Sequence, residues 1–312
     1  MKELQDIFEQ VEGASRPLAL ATLLRVEGSS YRKPGARLLT DGDQVLRGSL
    51  SGGCLEGEIL ARAQEVLKDG EPRLLRYDLR GDADLVWGTG MGCEGVLEVL
   101  VERVLPDARP EWMQWVQEAW TTRSTLRIGT ALDPLGARRK AEADEDLQES
   151  FIPPPALWIV GAELDQGCLV WMARALGWRV GMLDHRPALA TRARFPEAHD
   201  VRCGRPRAWV SEIPWDVRTA VVLMTHNYAL DLEAMRGLMT SPVGYIGLMG
   251  SRERCERLRA ELKAEDLDFD ARVHAPVGLD LGAQTPESIA LAILAEIQMR
   301  LEGGTGRSLS RS

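Results

Sequence analysis

From residue 156 onward, short apolar runs alternate with helix-length segments, and that alternation admits few folds. Leu157–Val160 is a buried-strand pattern ending at Gly161. Gln166–Leu176 has helical apolar spacing and stops at Gly177, and Trp178–Leu183 is a second strand followed by Asp184. Thr219–Met224 and Val243–Leu248 are further strands, and Leu230–Met239 and Arg252–Leu262 further helices. Thr285 caps a last helix, with Pro286 at its first position, that runs to about Leu301. Strands separated by helices of this length cannot be neighbours in a hairpin. They predict a Rossmann-like parallel sheet covered on both faces, over residues 156–302. The Gly- and Ser-rich residues 303–312 are expected to be a disordered tail.

A chain of 312 residues is long for one core, so a second domain is expected. Residues 1–135 mix strands (Leu18–Val26, Ala36–Thr40, Gln44–Leu46, Arg73–Tyr77, Val96–Val104, Thr125–Leu132) with helices at Met1–Val11 and Leu55–Leu67. That is a mixed α/β domain. Gly136–Ser150 is charged without an apolar face and runs into Pro153-Pro154-Pro155, so residues 136–155 are expected to be a linker. The whole is an α/β protein of two domains.

The chemistry of the first half concentrates in two loops. Gly28-Ser29-Ser30-Tyr31-Arg32-Lys33-Pro34-Gly35 follows a strand, and Ser49-Leu50-Ser51-Gly52-Gly53-Cys54 precedes a helix with Glu56 in its first turn. Glycines let successive N–H groups converge on an anion, and a helix start adds partial positive charge. The hydroxyls of Ser29, Ser30, Ser49 and Ser51 add donors. Residues 25–47 hold five basic side chains against three acidic ones, in a chain of net charge -9. One such loop would be an ordinary turn and cap. Two together predict an anion pocket suited to phosphate. The overall negative charge argues against nucleic acid as a partner.

The five cysteines are widely spaced, without C-x-x-C pairs or histidines at zinc spacing. That pattern suggests reduced thiols and a cytoplasmic location, as do an N-terminus without an apolar signal core and the lack of any run long enough to span a membrane. Cys54 stands at a helix start, where the dipole favours a thiolate, and Cys93 lies in a second Gly-rich loop, residues 88–95. Cys168, Cys203 and Cys255 read as small buried hydrophobes.

In the second half the dinucleotide fingerprint G-x-G-x-x-G is half present. Gly161, Gly167 and an acidic Asp184 fit it, but its middle position is Glu163. A carboxylate there would oppose a pyrophosphate by about 4 kcal/mol per charge pair at an effective dielectric of ~20. NAD binding is therefore not expected. His226 and Asn227 follow one strand's carboxyl end, and Gly250, Ser251 and Arg252 follow the next, the edge where parallel sheets bind ligands.

The segments GSSYRKPGARLL, GSLSGGCLEGEI, VVLMTHNYALDLEA, YIGLMGSRER and HAPVGLDLGAQTPESIALAILAEI resemble the XdhC/CoxI family, the xanthine dehydrogenase accessory proteins. They fall in both halves. The resemblance implies a chaperone that binds the molybdenum cofactor (molybdopterin), holds it for sulfuration, and inserts it into a xanthine-dehydrogenase-like apoenzyme. It implies that molybdoenzyme and a cysteine desulfurase as partners. The cofactor is a pterin dithiolene bearing a phosphate, which suits the loops above. Relatives carry Gly-Ala-Gly where this chain has Gly161-Ala162-Glu163, a departure that bears on nucleotide binding only. An NAD(P)-dependent oxidoreductase is the alternative, favoured by Asp184 and opposed by Glu163. A homodimer is expected from the nine tryptophans, several of them (Trp112, Trp115, Trp120, Trp158, Trp171, Trp178) near the central segment.

Overall fold

Alternation in Leu18–Gly28 (β1) sends Leu18 and Leu20 to one side and Ala19, Ala21 and Leu23 to the other, so both faces of its sheet must be covered. The computed structural model describes residues 2–53, 55–80, 95–141 and 147–311. The chain divides into two units, residues 1–153 and 154–312.

In the first unit β1 lies at the centre of an antiparallel sheet of order β3-β2-β1-β5-β4, with β2 Arg37–Thr40, β3 Val45–Gly48, β4 Arg73–Asp78 and β5 Gly95–Val104. Helix α2 (Glu56–Asp69) covers one face with Ile59, Ala63 and Val66. Helices α1 (Lys2–Glu12) and α3 (Glu111–Thr121) cover the other with Ile7, Phe8, Val11, Trp112, Met113 and Val116. Three more strands follow: β6 (Leu126–Leu132), β7 (Leu135–Lys140) and β8 (Gln148–Phe151), in a separate antiparallel sheet of order β7-β6-β8.

Those last two strands correct the expected linker. Two of the charges in residues 136–155 have buried partners. Arg138 on β7 pairs with Glu102 on β5 at 2.6 Å, and Glu149 on β8 grips Arg37 on β2 at 2.8 and 2.5 Å. The first unit therefore extends to Pro153, beyond the expected end at 135.

In the second unit β9 (Ala156–Val160), β10 (Arg179–Asp184), β11 (Asp200–Cys203), β12 (Thr219–Leu223), β13 (Tyr245–Leu248) and β14 (Val273–His274) form a wholly parallel sheet. The order β11-β10-β9-β12-β13-β14 reverses direction between β9 and β12, which defines a Rossmann topology with its crevice at that switch point. Helices α4 (Gly167–Ala175) and α8 (Pro286–Glu302) pack on one face. Helices α5 (Pro206–Glu212), α6 (Tyr228–Met239) and α7 (Arg252–Lys263) pack on the other. Burial on both faces is why β9 and β12 are apolar but for Thr219. Thr285 and Ser288 form a reciprocal capping box at the start of α8, with Pro286 beside it. The tail is not featureless: Leu309–Arg311 makes a 3-10 turn. Among the described residues, no helix is long and apolar enough to cross a membrane.

Most of the tryptophans read as interface residues are core. Trp112, Trp158 and Trp178 are buried, and Trp115 and Trp120 pack at the edge of the first unit's core. Trp171 alone of the six is largely exposed, at 56%.

Candidate functional site

The loop before α2 is an anion nest, and its anion is internal. Glu56 turns back from the first turn of α2 and receives five hydrogen bonds. To Oε1 come the Ser49 hydroxyl at 3.0 Å and the N–H groups of Leu50 and Ser51 at 3.4 and 3.2 Å. To Oε2 come the Ser51 hydroxyl at 2.5 Å and the Gly53 N–H at 2.9 Å. Burial pushes this carboxyl up, but the bonds from Ser51, Ser49 and the backbone outweigh it and hold it below the usual carboxylate range. Ser49 also receives the N–H of Gly52, and Ser51 that of Leu55. The donors of Ser49, Ser51 and Gly53 thus converge on Glu56 rather than on an open pocket. Cys54 and Cys93 lie outside the described residues.

The other loop is adjacent. The Tyr31 ring, 71% exposed, lies against Gly52, where an added Cβ would meet it at 3.5 Å. Ser29 and Ser30 lie just before that ring, and the Ser30 hydroxyl accepts the Arg32 N–H at 3.4 Å. Arg32 makes a two-pronged pair with Glu3 of α1 at 2.7 and 2.8 Å. Gly35 has φ +91°, and a Cβ there would meet the Glu149 carboxylate at 2.9 Å, so only glycine lets the loop close over the Arg37–Glu149 pair. A cavity of about 370 Å³ opens here, lined by Arg32, Lys33, Gly35 and Arg37 and closed by α1 and β8. Ser49–Gly53 do not line it.

In the second unit the dinucleotide loop is closed by its own side chains. Asp184, 3% exposed, accepts the Ala162 N–H at 2.8 Å, and Gln166 accepts the Glu163 N–H at 2.9 Å. Burial raises the Asp184 carboxyl, but Arg186 and the two backbone donors overcome that and hold it low. Arg186 also pairs with Glu163 at 2.8 Å. Glu163 is therefore neutralised, and the electrostatic objection to a pyrophosphate is weaker than the sequence suggests. The stronger objection is that both N–H groups are taken. Gly161 has φ +112° and a Cβ would fall 2.5 Å from the Met224 carbonyl, so it serves the close approach of β9 and β12.

At the switch-point edge, His226 is exposed with φ +55°. Asn227 caps α6 by accepting the Leu230 N–H at 3.2 Å, and Ser251 caps α7 by accepting that of Arg254 at 3.2 Å. Gly250 and Arg252 flank that cap, and the Arg254 side chain crosses over Gly250. Beneath them lies a cluster that sequence reasoning missed. Asp231, wholly buried, accepts from Thr225 at 2.6 Å and from Arg254. Burial lifts the Asp231 carboxyl above its ordinary value despite both donors. The only available signal was an acid in the apolar face of α6. Among the described residues, no group of His, Cys, Asp or Glu is arranged to hold a metal ion.

A Rossmann-type parallel sheet joined in one chain to an antiparallel domain with paired Ser/Gly loops defines a two-unit α/β protein. Residues 157–297 match the XdhC Rossmann domain and residues 12–78 the XdhC and CoxI family. A protein of Bacillus subtilis named as a probable xanthine dehydrogenase subunit is 31% identical, over 89% of this chain and 91% of its own. The chain belongs to the XdhC and CoxI family. The molybdenum cofactor insertion chaperone PaoD of Escherichia coli is 25% identical over 89% of this chain and 81% of its own. A crystal structure titled as a xanthine dehydrogenase from Bacillus halodurans superposes with a TM-score of 0.80 at 28% identity, covering 100% of this chain and 98% of that one.

Proposed function

We propose that this protein is a molybdenum-cofactor chaperone. Its first unit holds the molybdopterin while the terminal sulfur is installed, and it then delivers the cofactor to a xanthine-dehydrogenase-like apoenzyme. A cysteine desulfurase supplies the sulfur, and the chaperone works as a cytoplasmic homodimer without turnover of its own. The observation that carries this reading is the pairing of the two loops: Tyr31 lies on Gly52, and Glu56 fixes Gly53 and Ser51 beside Cys54 in the chain. The name of the Escherichia coli relative supports the cofactor.

The residues fit such a ligand. When bound, the cofactor supplies a dithiolene-held molybdenum and a phosphate. In this protein Cys54 offers a thiolate, a soft ligand suited to such a metal, and the Arg32–Arg37 segment offers cations to the phosphate. The exposed Tyr31 ring is a platform for a planar heterocycle. Hydride transfer from NAD(P) is not favoured, because Asp184 and Gln166 already occupy the loop donors a pyrophosphate needs.

The test is to purify the protein from cells making the cofactor and assay bound molybdenum and pterin. Near-stoichiometric pterin in the wild type and its loss in Cys54→Ala are expected. A wild type free of both removes the reading. Light scattering giving a mass near 34.5 kDa at all concentrations would remove the dimer.

A further inference from the structure

We infer that the cavity between α1, the Arg32–Arg37 segment and β8 is a binding site for a small planar molecule carrying a phosphate or similar oxyanion. This rests on the chaperone reading and assigns a place in the first unit to the pterin and its phosphate.

The lining divides by chemistry. Leu4, Ile7, Trp120, Phe151 and Ile152 form an apolar and aromatic wall, and Arg32, Lys33 and Arg37 form a cationic side. Two carboxylates, Glu3 and Glu149, also line it, which leaves one positive charge in excess in a chain of net charge -9. The volume of about 370 Å³ lies in the range of small-molecule sites, ~300–1,000 Å³.

Arg37 Nε, Thr22 Oγ1, Trp112 Nε1 and Trp120 Nε1 are buried without a hydrogen-bond partner. Three of these four can only donate. Thr22 is directly opposite Arg37 across β1 and β2, and the Arg37 guanidinium lies 5.1 Å from the Trp112 ring centre; of the four residues, Arg37 and Trp120 line the cavity.

The three cations play different parts. Arg37 has a side chain 5% exposed, is gripped by Glu149 and lies over Trp112 and Phe151, so it stays in place. Arg32 and Glu3 are each 31% exposed, and a pair that wet is worth little. Glu3 is thus an internal stand-in that a dianionic phosphate displaces. Lys33 is exposed and has no ion-pair partner among the described residues, so it is the free cation of the site.

Calorimetric titration of the full chain with neopterin monophosphate, neopterin and inorganic phosphate tests this. The monophosphate should bind at least about tenfold more tightly than either fragment, and Lys33→Ala should weaken it about tenfold. Lys33→Glu should abolish binding, and Glu3→Gln should tighten it several-fold by freeing Arg32. The Lys33 side chain is exposed and makes no ion pair among the described residues, and its backbone bond to Ala36 survives substitution, so its variants fold. Equal binding of neopterin and its monophosphate, or indifference to Lys33→Glu, overturns the site. So does inorganic phosphate binding as tightly as the phosphorylated pterin. If Lys33→Glu still retains molybdenum and pterin in cells, the chaperone reading stands and this site falls. If the wild type carries no cofactor yet binds the monophosphate through Lys33, the site stands and the chaperone reading falls.

Discussion

Replacing Glu56 should loosen the loop that it organises. In Glu56→Ala the hydroxyls of Ser49 and Ser51 and the N–H groups of Leu50, Ser51 and Gly53 all lose their acceptor. Bonds to a charged group contribute roughly 1.5–3 kcal/mol each where buried, but Gly52 and Gly53 are exposed and water replaces part of the loss. We expect a net cost of about 2–4 kcal/mol. For a unit of 153 residues that is a fall in melting temperature of about 5–12 °C. Glu56→Gln should cost less, about 1–2 kcal/mol, because its amide oxygen keeps one set of donors while its NH₂ confronts the Gly53 N–H. The Glu56 carboxyl is held below its ordinary value. Its contribution is therefore complete above the unfolded carboxyl pKa of about 4.3 and disappears as pH falls through the lower folded value. The gap between wild type and Glu56→Gln should shrink accordingly under acid. Calorimetric melting at pH 7 and pH 3.5, with and without formate, measures all of this. Formate should partly rescue Glu56→Ala and leave the wild type unmoved. If Glu56→Ala melts with the wild type, or formate stabilises both equally, the carboxylate does not hold the loop.

Other outcomes follow from the second unit. Asp231→Asn should destabilise by about 3–5 kcal/mol in urea, because it leaves Arg254 without its buried counter-charge. Glu163→Gly should not create micromolar NAD binding by calorimetry, since Asp184 and Gln166 still occupy the loop N–H groups. Gly161→Ala should cost about 2–3 kcal/mol of stability through the clash with the Met224 carbonyl at 2.5 Å. Burial, with Arg174, Arg179 and Arg192 nearby, lowers His199 to about 4. Its ring should stay neutral by NMR from pH 8 to pH 5, and the stability it contributes should decline as pH falls below about 6.5, where the unfolded chain gains a proton first.

The parts of this fold legible in the sequence are those where burial leaves a one-dimensional trace. β9 and β12 are apolar but for Thr219 because helices cover both sides, and Thr285-Pro286 marks its helix by backbone chemistry alone. β7 and β8 left no such trace. Their charged residues look solvated until Glu102 and Arg37 are placed opposite them, and those partners are distant in sequence. The same limit applies to the nest at Ser49–Gly53: its residues announce an anion, but nothing in their order says that the anion is Glu56. Trp112, Met113, Val116 and Ala119 had the spacing of a buried helix face, and reading the tryptophan as interface obscured α3. Asp231 and Arg254 lie on different helices, and no local pattern joins them.

The place of β9 in its sheet also bears on how the chain is made. It is the first strand of its unit to be synthesised, yet it ends as a central strand with β10 on one side and β12 on the other. Its second neighbour begins at Thr219, more than fifty residues after β9 ends at Val160. On the ribosome β9 therefore waits with one edge open, while the antiparallel sheet of the first unit, all of it earlier in the chain, is already complete. Parallel pairing across such separations is slow, and an open edge invites association between chains. Yield of soluble protein should therefore depend on how quickly residues 161–223 leave the ribosome, and a translational pause placed within them should cost more soluble product than one placed after β12.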